Sequence, residues 1–378
     1  MLSRIALICL LCLLAVWVIY PLIMAALAAL LSRHPLTEVG SEASSEPRVS
    51  VVLATRDELE AVRARVADLA RTEYDPARMD IIVARDRRAG PIATEDLRVE
   101  GLRVTSVEGD EPGGKAATLN AGVRAATGEV VVFTDTNQRF LPDAIRRLCR
   151  AVGQPRVGAS SGRLELAPSA GRLPSPAAAY WSLERWLRRH EAAVHSAIGV
   201  TGAIYAMRRS LWTPLPAGLI LDDVYTPMRL VLAGHRVTFV DEARAMETRR
   251  TASGQEYRRK VRTLTGVLQL CAWLPDVLVP IRNPVWIQFV FHKLLRLLTP
   301  YWVLGVALWS GIFALRALAD HPDAGLVLLA SLLLITLLTS GRPLRAARAI
   351  VVEGLLIQVA IVVATANGVR GRWDVWHN

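Results

Sequence analysis

Apolar runs occupy both ends of this chain, and the charged residues concentrate between them. Residues 5–31 are almost wholly apolar. One membrane crossing takes ~20 such residues. A secretory signal peptide would carry a shorter apolar core of ~7–15 residues. The stretch 1–32 is therefore read as an uncleaved anchor. Further apolar runs at 301–315, 325–338 and 350–365 predict about three helices within 299–378. The loop 317–324 holds Asp320 and Asp323 without Lys or Arg, whereas 340–349 holds Arg342, Arg345 and Arg348. Basic residues favour the cytoplasmic face, so this alternation predicts a loop outside and then one inside. Arg33 and His34 follow the first run and lead into a basic domain, 33–275. That domain is expected on the cytoplasmic face of a bacterial inner membrane. Around 283–298, Trp286, Phe289 and Phe291 mix with Arg282, Lys293 and Arg296. This is the pattern of an amphipathic helix lying in the interface, expected over 276–298.

Between the apolar ends, short apolar runs alternate with helical periodicity. Residues 48–54, 79–84, 102–107 and 129–134 read as strands. Residues 58–71 and 116–126 read as helices, with a loop at 112–114 and a break at Gly128. The alternation predicts an α/β fold with a mainly parallel sheet covered on both faces. Ligands of such sheets bind at the carboxyl ends of the strands. Thr55, Arg56, Asp57 and Glu58 follow the first strand, Arg85 and Asp86 the second, and Asp135, Thr136 and Asn137 the fourth. Acidic and amide groups on one rim, with Gly113, Gly114 and Lys115 nearby, point to a nucleotide site. The Gly-Gly-Lys run lacks the full phosphate-loop spacing, which disfavours a nucleoside triphosphatase.

Charge narrows the partners. Lys plus Arg number 45 against 34 Asp plus Glu, a formal charge of +11. No helix-turn-helix, zinc or RNA-binding signature accompanies that charge, so nucleic acid is not an expected partner. Basic residues here suit anionic lipid and a diphosphate ligand. Cys9, Cys12, Cys149 and Cys271 have neither zinc nor redox spacing and read as small hydrophobes.

Three groups carry candidate chemistry. Asp135 can offer a carboxylate to a hard divalent cation, while Asn137 offers only a neutral oxygen. Asp222 and Asp223 follow an apolar run and open a helix expected over 224–233. They serve either as favourable charge at a helix start or as a general base. Arg259 and Arg262 share a face of a helix through the basic run 257–262. They meet either solvent or a diphosphate.

Taken in order, these blocks resemble family 2 glycosyltransferases with a GT-A fold. The blocks are Gly-Gly-Lys-Ala-Ala-Thr-Leu-Asn-Ala-Gly at 113–122, Ala-Thr-Gly-Glu-Val-Val-Val-Phe-Thr-Asp-Thr-Asn at 126–137, and Thr-Gly-Ala-Ile-Tyr-Ala-Met-Arg-Arg-Ser at 201–210. The resemblance spans 49–266 and implies a Rossmann-like nucleotide-sugar domain flanked by transmembrane helices. It implies an inverting hexosyltransferase using Mg or Mn. The donor would be a nucleotide-diphosphate sugar and the acceptor a glycan or lipid-linked glycan beside membrane lipid. By the same resemblance, Thr55, Glu58 and Asp86 line the nucleoside pocket and Lys115 lies near the nucleotide. Asp135 is the metal-linked acid, with Asn137 at the second metal position. Gly202, with Thr201 and Ala203, shapes the acceptor side. Asp223 is the base beside Asp222, and Arg259 and Arg262 neutralise the diphosphate.

Three motifs depart from the family pattern. Asn137 stands where a second Asp is usual, Arg87 and Arg88 where Gly-Ser is usual, and Arg259 and Thr263 where Gln and Trp are usual. The Trp supports the acceptor sugar in processive synthases. Its replacement favours transfer of one or a few sugars over a hyaluronan- or cellulose-type polymerase. The remaining alternative is a catalytically silent subunit of a polysaccharide-export complex.

Overall fold

The computed structural model describes residues 2–31, 46–166, 176–248, 253–320 and 342–374. Its centre is a sheet whose strands bury alternate side chains in two different cores. Along β1 (Val49–Thr55), Val49, Val51 and Leu53 enter one core and Val52 the other. β2 (Met79–Arg85) repeats this, with Ile81 and Val83 on the first side and Ile82 on the second. Period-2 burial on both faces is what a covered parallel sheet requires. β3 (Arg103–Glu108) pairs parallel with β2, and β4 (Val130–Thr134) pairs parallel with β1. The sheet continues through β5 (Gln138–Phe140), β6 (Val157–Leu166), β7 (Ile204–Arg208) and β8 (Arg236–Glu247). The order is β3-β2-β1-β4-β7-β6-β8-β5, with β4–β7, β6–β7 and β5–β8 antiparallel.

The register sets the functional rim. Thr55 pairs with Arg85, and Leu53 pairs with Thr134. The residues after β1, β2 and β4 therefore end level with one another.

The terminal helix α1 (Leu2–Leu31) precedes the sheet. On the first face of the sheet lie α2 (Leu59–Leu69) and, after α3 (Lys115–Ala125), α4 (Ala144–Gly153). On the second face α3 packs through Leu119 and Val123. Gly122 lets α3 close on β1, since a Cβ there would stand 2.7 Å from Val52 Cγ1. After α5 (Pro176–Val194), the second core gathers α6 (Asp222–Leu232) and α7 (Ser253–Trp273). It also takes Phe289 and Leu297 of α8 (Trp286–Asp320) and Ile361 of α9 (Arg342–Val369). Each such large apolar side chain contributes roughly 1.5–3 kcal/mol on burial. The carboxy-terminal helices thus share the core of the sheet domain.

The helices Leu2–Leu31 and Trp286–Asp320 are long and apolar enough to cross a membrane, and Gly354–Val369 is a shorter apolar stretch. The expected run at 325–338 lies outside the described residues, as does the boundary at 33. One difference from the sequence reading concerns 276–298. Residues from Trp286 continue through a π-turn at Val290–Leu294 and a tight turn at Leu295–Leu298 into Thr299–Asp320. Gln288, His292 and Arg296 recur every four residues and are buried against protein. They find partners in Glu184 and Glu191 of α5, and Arg296 also lies over the Trp17 ring of α1.

Candidate active site

The loop from Glu108 to Lys115 brings the backbone of Gly113 and Gly114 over the end of β2. Both glycines have positive φ, 85° and 92°, a region that L side chains rarely adopt. Gly114 N donates to Asp86 Oδ1 at 3.2 Å. Arg88 donates to the same carboxylate through N, Nε and Nη2 at 3.1, 3.2 and 3.0 Å. Burial raises the Asp86 pKa, but the Arg88 and Gly114 hydrogen bonds outweigh it and hold the carboxyl below its usual range. Asp86 thus ties the glycine loop to the rim, and Arg88 covers it.

Thr55 and Thr136 join the first and fourth strand ends through a 2.8 Å hydroxyl bond, in which Thr136 donates. Arg85, which the sequence placed on this rim without a role, is 5% exposed and donates to the carbonyls of Asp57, Ala89 and Gly90. It fixes both loops of the rim. Glu58 precedes α2 and is exposed. Asn137 presents its main-chain oxygen to Thr248, whose N and Oγ1 donate at 2.9 and 2.7 Å. That bond anchors the loop after β4 to the end of β8.

Lys115 opens α3, where a cation is disfavoured by the helix dipole. Its Nζ instead reaches Asp222 Oδ2 at 3.4 Å and Asp135 Oδ1 at 3.8 Å. Burial works against this ammonium, but Asp135, Asp222 and Asp223 outweigh it and raise its pKa. Asp222 and Asp223 form the first turn of α6. Asp223 accepts Val200 N at its own carbonyl, 2.8 Å away. Burial first and then Asp222 raise the Asp223 pKa, while Lys115, Arg188 and Lys293 pull it down; the net shift is upward. Gly202 faces this pair, since a Cβ there would lie 3.5 Å from Asp223 Cβ and 3.7 Å from Lys115 Nζ. Thr201 N donates to Ser161 Oγ at 2.8 Å, which steadies the turn before β7.

Arg262 lies within the field of the acid pair. Burial and Arg259 lower its pKa, and Asp223 and Asp222 act in the other direction. Arg259 stands over the Trp181 ring, 5.6 Å from its centroid. Tyr205 is buried under the acids, stacked on Phe133 at 4.4 Å. Burial and then Asp222, Asp223 and Asp135 raise its pKa, so the phenol stays protonated. Sequence reading missed Tyr205; its period-2 place in the apolar block before Met207 gave it the look of a core residue.

The structure thus brings together Lys115, Asp135, Asp222, Asp223 and Gly202, with Arg262 and Arg259 beside them. Thr55 and Asp86 lie on the adjoining rim. Glu58 stands outside this hydrogen-bonded set, and Asn137 joins it through its backbone.

Asp135 and its neighbours are the candidate donor set for a divalent cation. Among the described residues no group of three His, Cys, Asp or Glu side chains forms a cage. Asp135 at the end of β4 is a single carboxylate, 38% exposed. Such a site fits a hard cation that takes most of its oxygen ligands from donor phosphates and water, as Mg-type sites commonly do.

The profile of the family described as glycosyltransferase-like family 2 matches residues 47–266, more than half of the 378-residue chain. The chain belongs to that family. Among solved structures, the mannosyltransferase PcManGT from Pyrobaculum calidifontis, in complex with GDP-Man and Mn2+, is 21% identical with a TM-score of 0.67. The match covers 98% of this chain and 99% of that one. Likeness at that identity establishes the GT-A fold. A mycobacterial protein is 18% identical over 66% of this chain and 78% of that one, with a TM-score of 0.41. TarS of S. aureus in complex with UDP-GlcNAc is 13% identical over 69% of this chain and 80% of that one, with a TM-score of 0.42. Neither of these two adds to the fold assignment. Comparison with curated proteins finds no match. This family 2 glycosyltransferase therefore has the α/β architecture expected from its strand pattern, with the acid pair, Lys115 and Asp135 converging at one rim.

Proposed function

We propose that this family 2 glycosyltransferase is an inverting, metal-dependent enzyme at a membrane. It moves one hexose, or a few, from a nucleotide-diphosphate sugar to a lipid-linked or membrane-proximal glycan acceptor. The observation that carries the reading is Asp223, a half-buried carboxylate in the first turn of α6 that faces Gly202 and Lys115, its pKa raised by its surroundings. A base must take a proton from a hydroxyl, and an upward shift makes this carboxylate more basic than an ordinary one. In this reading Asp223 accepts the acceptor proton while the sugar–phosphate bond breaks on the opposite side of the anomeric carbon.

The leaving diphosphate gains charge, which preorganised cations stabilise. Arg262 and Arg259 serve that role from α7. Asp135 would hold Mg or Mn, which when bound supplies further positive charge to the diphosphate. Asn137 keeps the loop of Asp135 in place through its backbone. Thr55 and Asp86 border the nucleoside pocket. Glu58, exposed at the start of α2, joins that pocket when the donor is in place.

The helices Leu2–Leu31 and Trp286–Asp320 anchor the enzyme, with the sheet domain on the cytoplasmic face of a bacterial inner membrane. Membrane lipid and the acceptor lie on the same side as α8. A screen of nucleotide-sugars for thermal stabilisation of the detergent-purified chain, with and without Mn2+, tests the reading, because a ligand that binds only the native state raises its melting temperature. A stabilising donor that is then hydrolysed or transferred supports it. No stabilisation and no turnover with any donor would overturn it.

A further inference from the structure

Arg87 and Arg88 stand after β2, where the family pattern has Gly-Ser, and the structure separates the two. They begin a tight turn capped by Asp86, whose carboxylate accepts Arg88 N. Arg87 leans on the loop before α3, with Nε 3.4 Å from Glu108 Oε1 and Nη2 3.3 Å from Glu111 Oε1. Arg88 turns back over Asp86 and the glycine loop. Cβ atoms added at Gly113 and Gly114 would stand 3.1 Å from Arg88 Nε and 3.2 Å from Arg88 Nη2. The guanidinium thus lies on a floor that side chains would fill.

This arrangement occupies Asp86. Its carboxylate accepts from Arg88 N, Arg88 Nε, Arg88 Nη2 and Gly114 N. A carboxylate has lone pairs for about four such bonds, and Asp86 is 7% exposed. Its oxygens are therefore closed to a base approaching from the open rim. The group that faces outward is Arg88, whose side chain is 52% exposed. Nε and one N–H of Nη2 are engaged by Asp86. The other N–H of Nη2 and those of Nη1 make up the free end of the fork, and a guanidinium donates only. Asp86 holds that end in place before any ligand arrives, which lowers the ordering cost of binding.

Position decides which part of a donor this end meets. The sheet runs β2-β1-β4, with Thr55 paired to Arg85 and Leu53 to Thr134. Arg88 and Asp135 thus follow strands two spacings apart, roughly 10 Å. A cation held at Asp135 meets the diphosphate, so the β2 end meets the nucleoside. The loops after β1 and β2 are tied side by side, because Arg85 donates to the carbonyls of Asp57, Ala89 and Gly90. Glu58 directly follows Asp57 and is exposed.

We propose that Arg88 reads the base of the donor and selects guanine. This rests on the glycosyltransferase reading and deepens it by naming the nucleotide. Two parallel N–H donors call for two acceptors side by side on one edge. Guanine presents O6 and N7 there, and Arg is the residue that most often pairs with them. Adenine sets an amino donor beside N7, and uracil places N3–H between its carbonyls. Cytosine has the acceptors O2 and N3, but the rest of its polar edge is a single amino group. Guanine's next edge carries N1–H and the 2-amino group, two donors that a carboxylate such as Glu58 accepts together. Base and rim are complementary on two edges.

The test is calorimetric binding of GDP, 7-deaza-GDP, ADP, CDP and UDP to the full chain in detergent with Mn2+. The expected result is GDP at least tenfold tighter than ADP, CDP or UDP. 7-Deaza-GDP, in which a C–H replaces the N7 acceptor, should bind at least fivefold more weakly than GDP. In Arg88→Ala, GDP should lose tenfold or more, and the two guanine nucleotides should then bind alike. Arg88→Lys should regain only part of the loss. A variant that merely loosens the loop would weaken both nucleotides and keep their ratio, and that result overturns the proposal. So does a parent chain that binds GDP and 7-deaza-GDP equally or prefers another base, a comparison that needs no variant to fold. In each of these cases the donor reading stands. Binding of no diphosphate at all would instead remove the donor reading, and this inference with it.

Discussion

Lys115 Nζ stands 3.4 Å from Asp222 Oδ2, and the same ammonium is 3.8 Å from Asp135 Oδ1. One cation thus joins the end of β4 to the start of α6. It also restrains the Asp223 pKa, which burial and Asp222 push upward. Replacing Lys115 by Met removes that restraint. Because the base works only when unprotonated, the acidic limb of the kcat/KM profile should move to higher pH in Lys115→Met. A pH–rate series on both proteins checks this; an unmoved limb would separate Lys115 from the base.

Asp223→Asn keeps the shape of the side chain and removes its basicity. General base catalysis is worth roughly 10²–10⁴ in rate. Transfer should fall by about that factor while calorimetric affinity for the nucleotide is unchanged. Full turnover would exclude Asp223 as base.

Asp135→Ala removes the single exposed carboxylate at the end of β4. Donor affinity measured with Mn2+ should drop to the value measured in chelator, and the parent chain should show a clear difference between the two conditions. Equal Mn2+ dependence in both chains would remove Asp135 as the cation's holder.

Glu184 is buried, which alone would raise its pKa, yet His292, Lys293 and Arg296 hold it well below 4.5. A depressed folded pKa means that this contribution to stability is complete above the ordinary carboxylate range and is lost as pH falls through the folded value. Breaking such a buried set by removing one partner is destabilising by roughly 3–5 kcal/mol. Glu184→Gln should lower the melting temperature at pH 7 in detergent, and the gap to the parent should narrow on acidification below the carboxylate range. A constant gap would mean that packing rather than charge is lost.

Gly202 tests how closely the acceptor side is built. An added Cβ would make ordinary contacts, 3.5 Å to Asp223 Cβ and 3.7 Å to Lys115 Nζ. Gly202→Ala should fold and retain donor affinity, whereas Gly202→Val should raise the acceptor KM severalfold. Steady-state kinetics with each substrate varied in turn separates the two effects.

The parts of the fold that were legible in the sequence are those whose signal is local. β1 to β4 announce themselves by apolar runs, and their register levels Thr55, Asp86 and Asp135 without any long-range information. β5 to β8 were not read, because strands on the far side of β4 mix polar and apolar positions; Arg163 and Glu165 of β6 pair with Asp241 and Arg244 of β8. Within the site, Asp222 and Asp223 were conspicuous as neighbours after an apolar run. The buried set around Glu184 was not legible, because Glu184 and His292 look like separate solvated residues until α5 and α8 meet. For the same reason Lys293 and Arg296 read as groups for lipid headgroups.

The bond from Trp17 Nε1 to Thr299 Oγ1, 3.2 Å long, spans 282 positions of chain. Tyr20 and Glu191 are separated by 171. Helix α1 therefore leaves the ribosome with hydrogen-bonding groups whose partners do not yet exist. At ~5–20 residues per second, the interval before residue 299 is made is on the order of tens of seconds. Through that time Trp17 Nε1 and Tyr20 Oη need other partners, from water or from another protein. Biogenesis of this enzyme is thus a problem of custody, and it ends only when α8 emerges and claims the first helix.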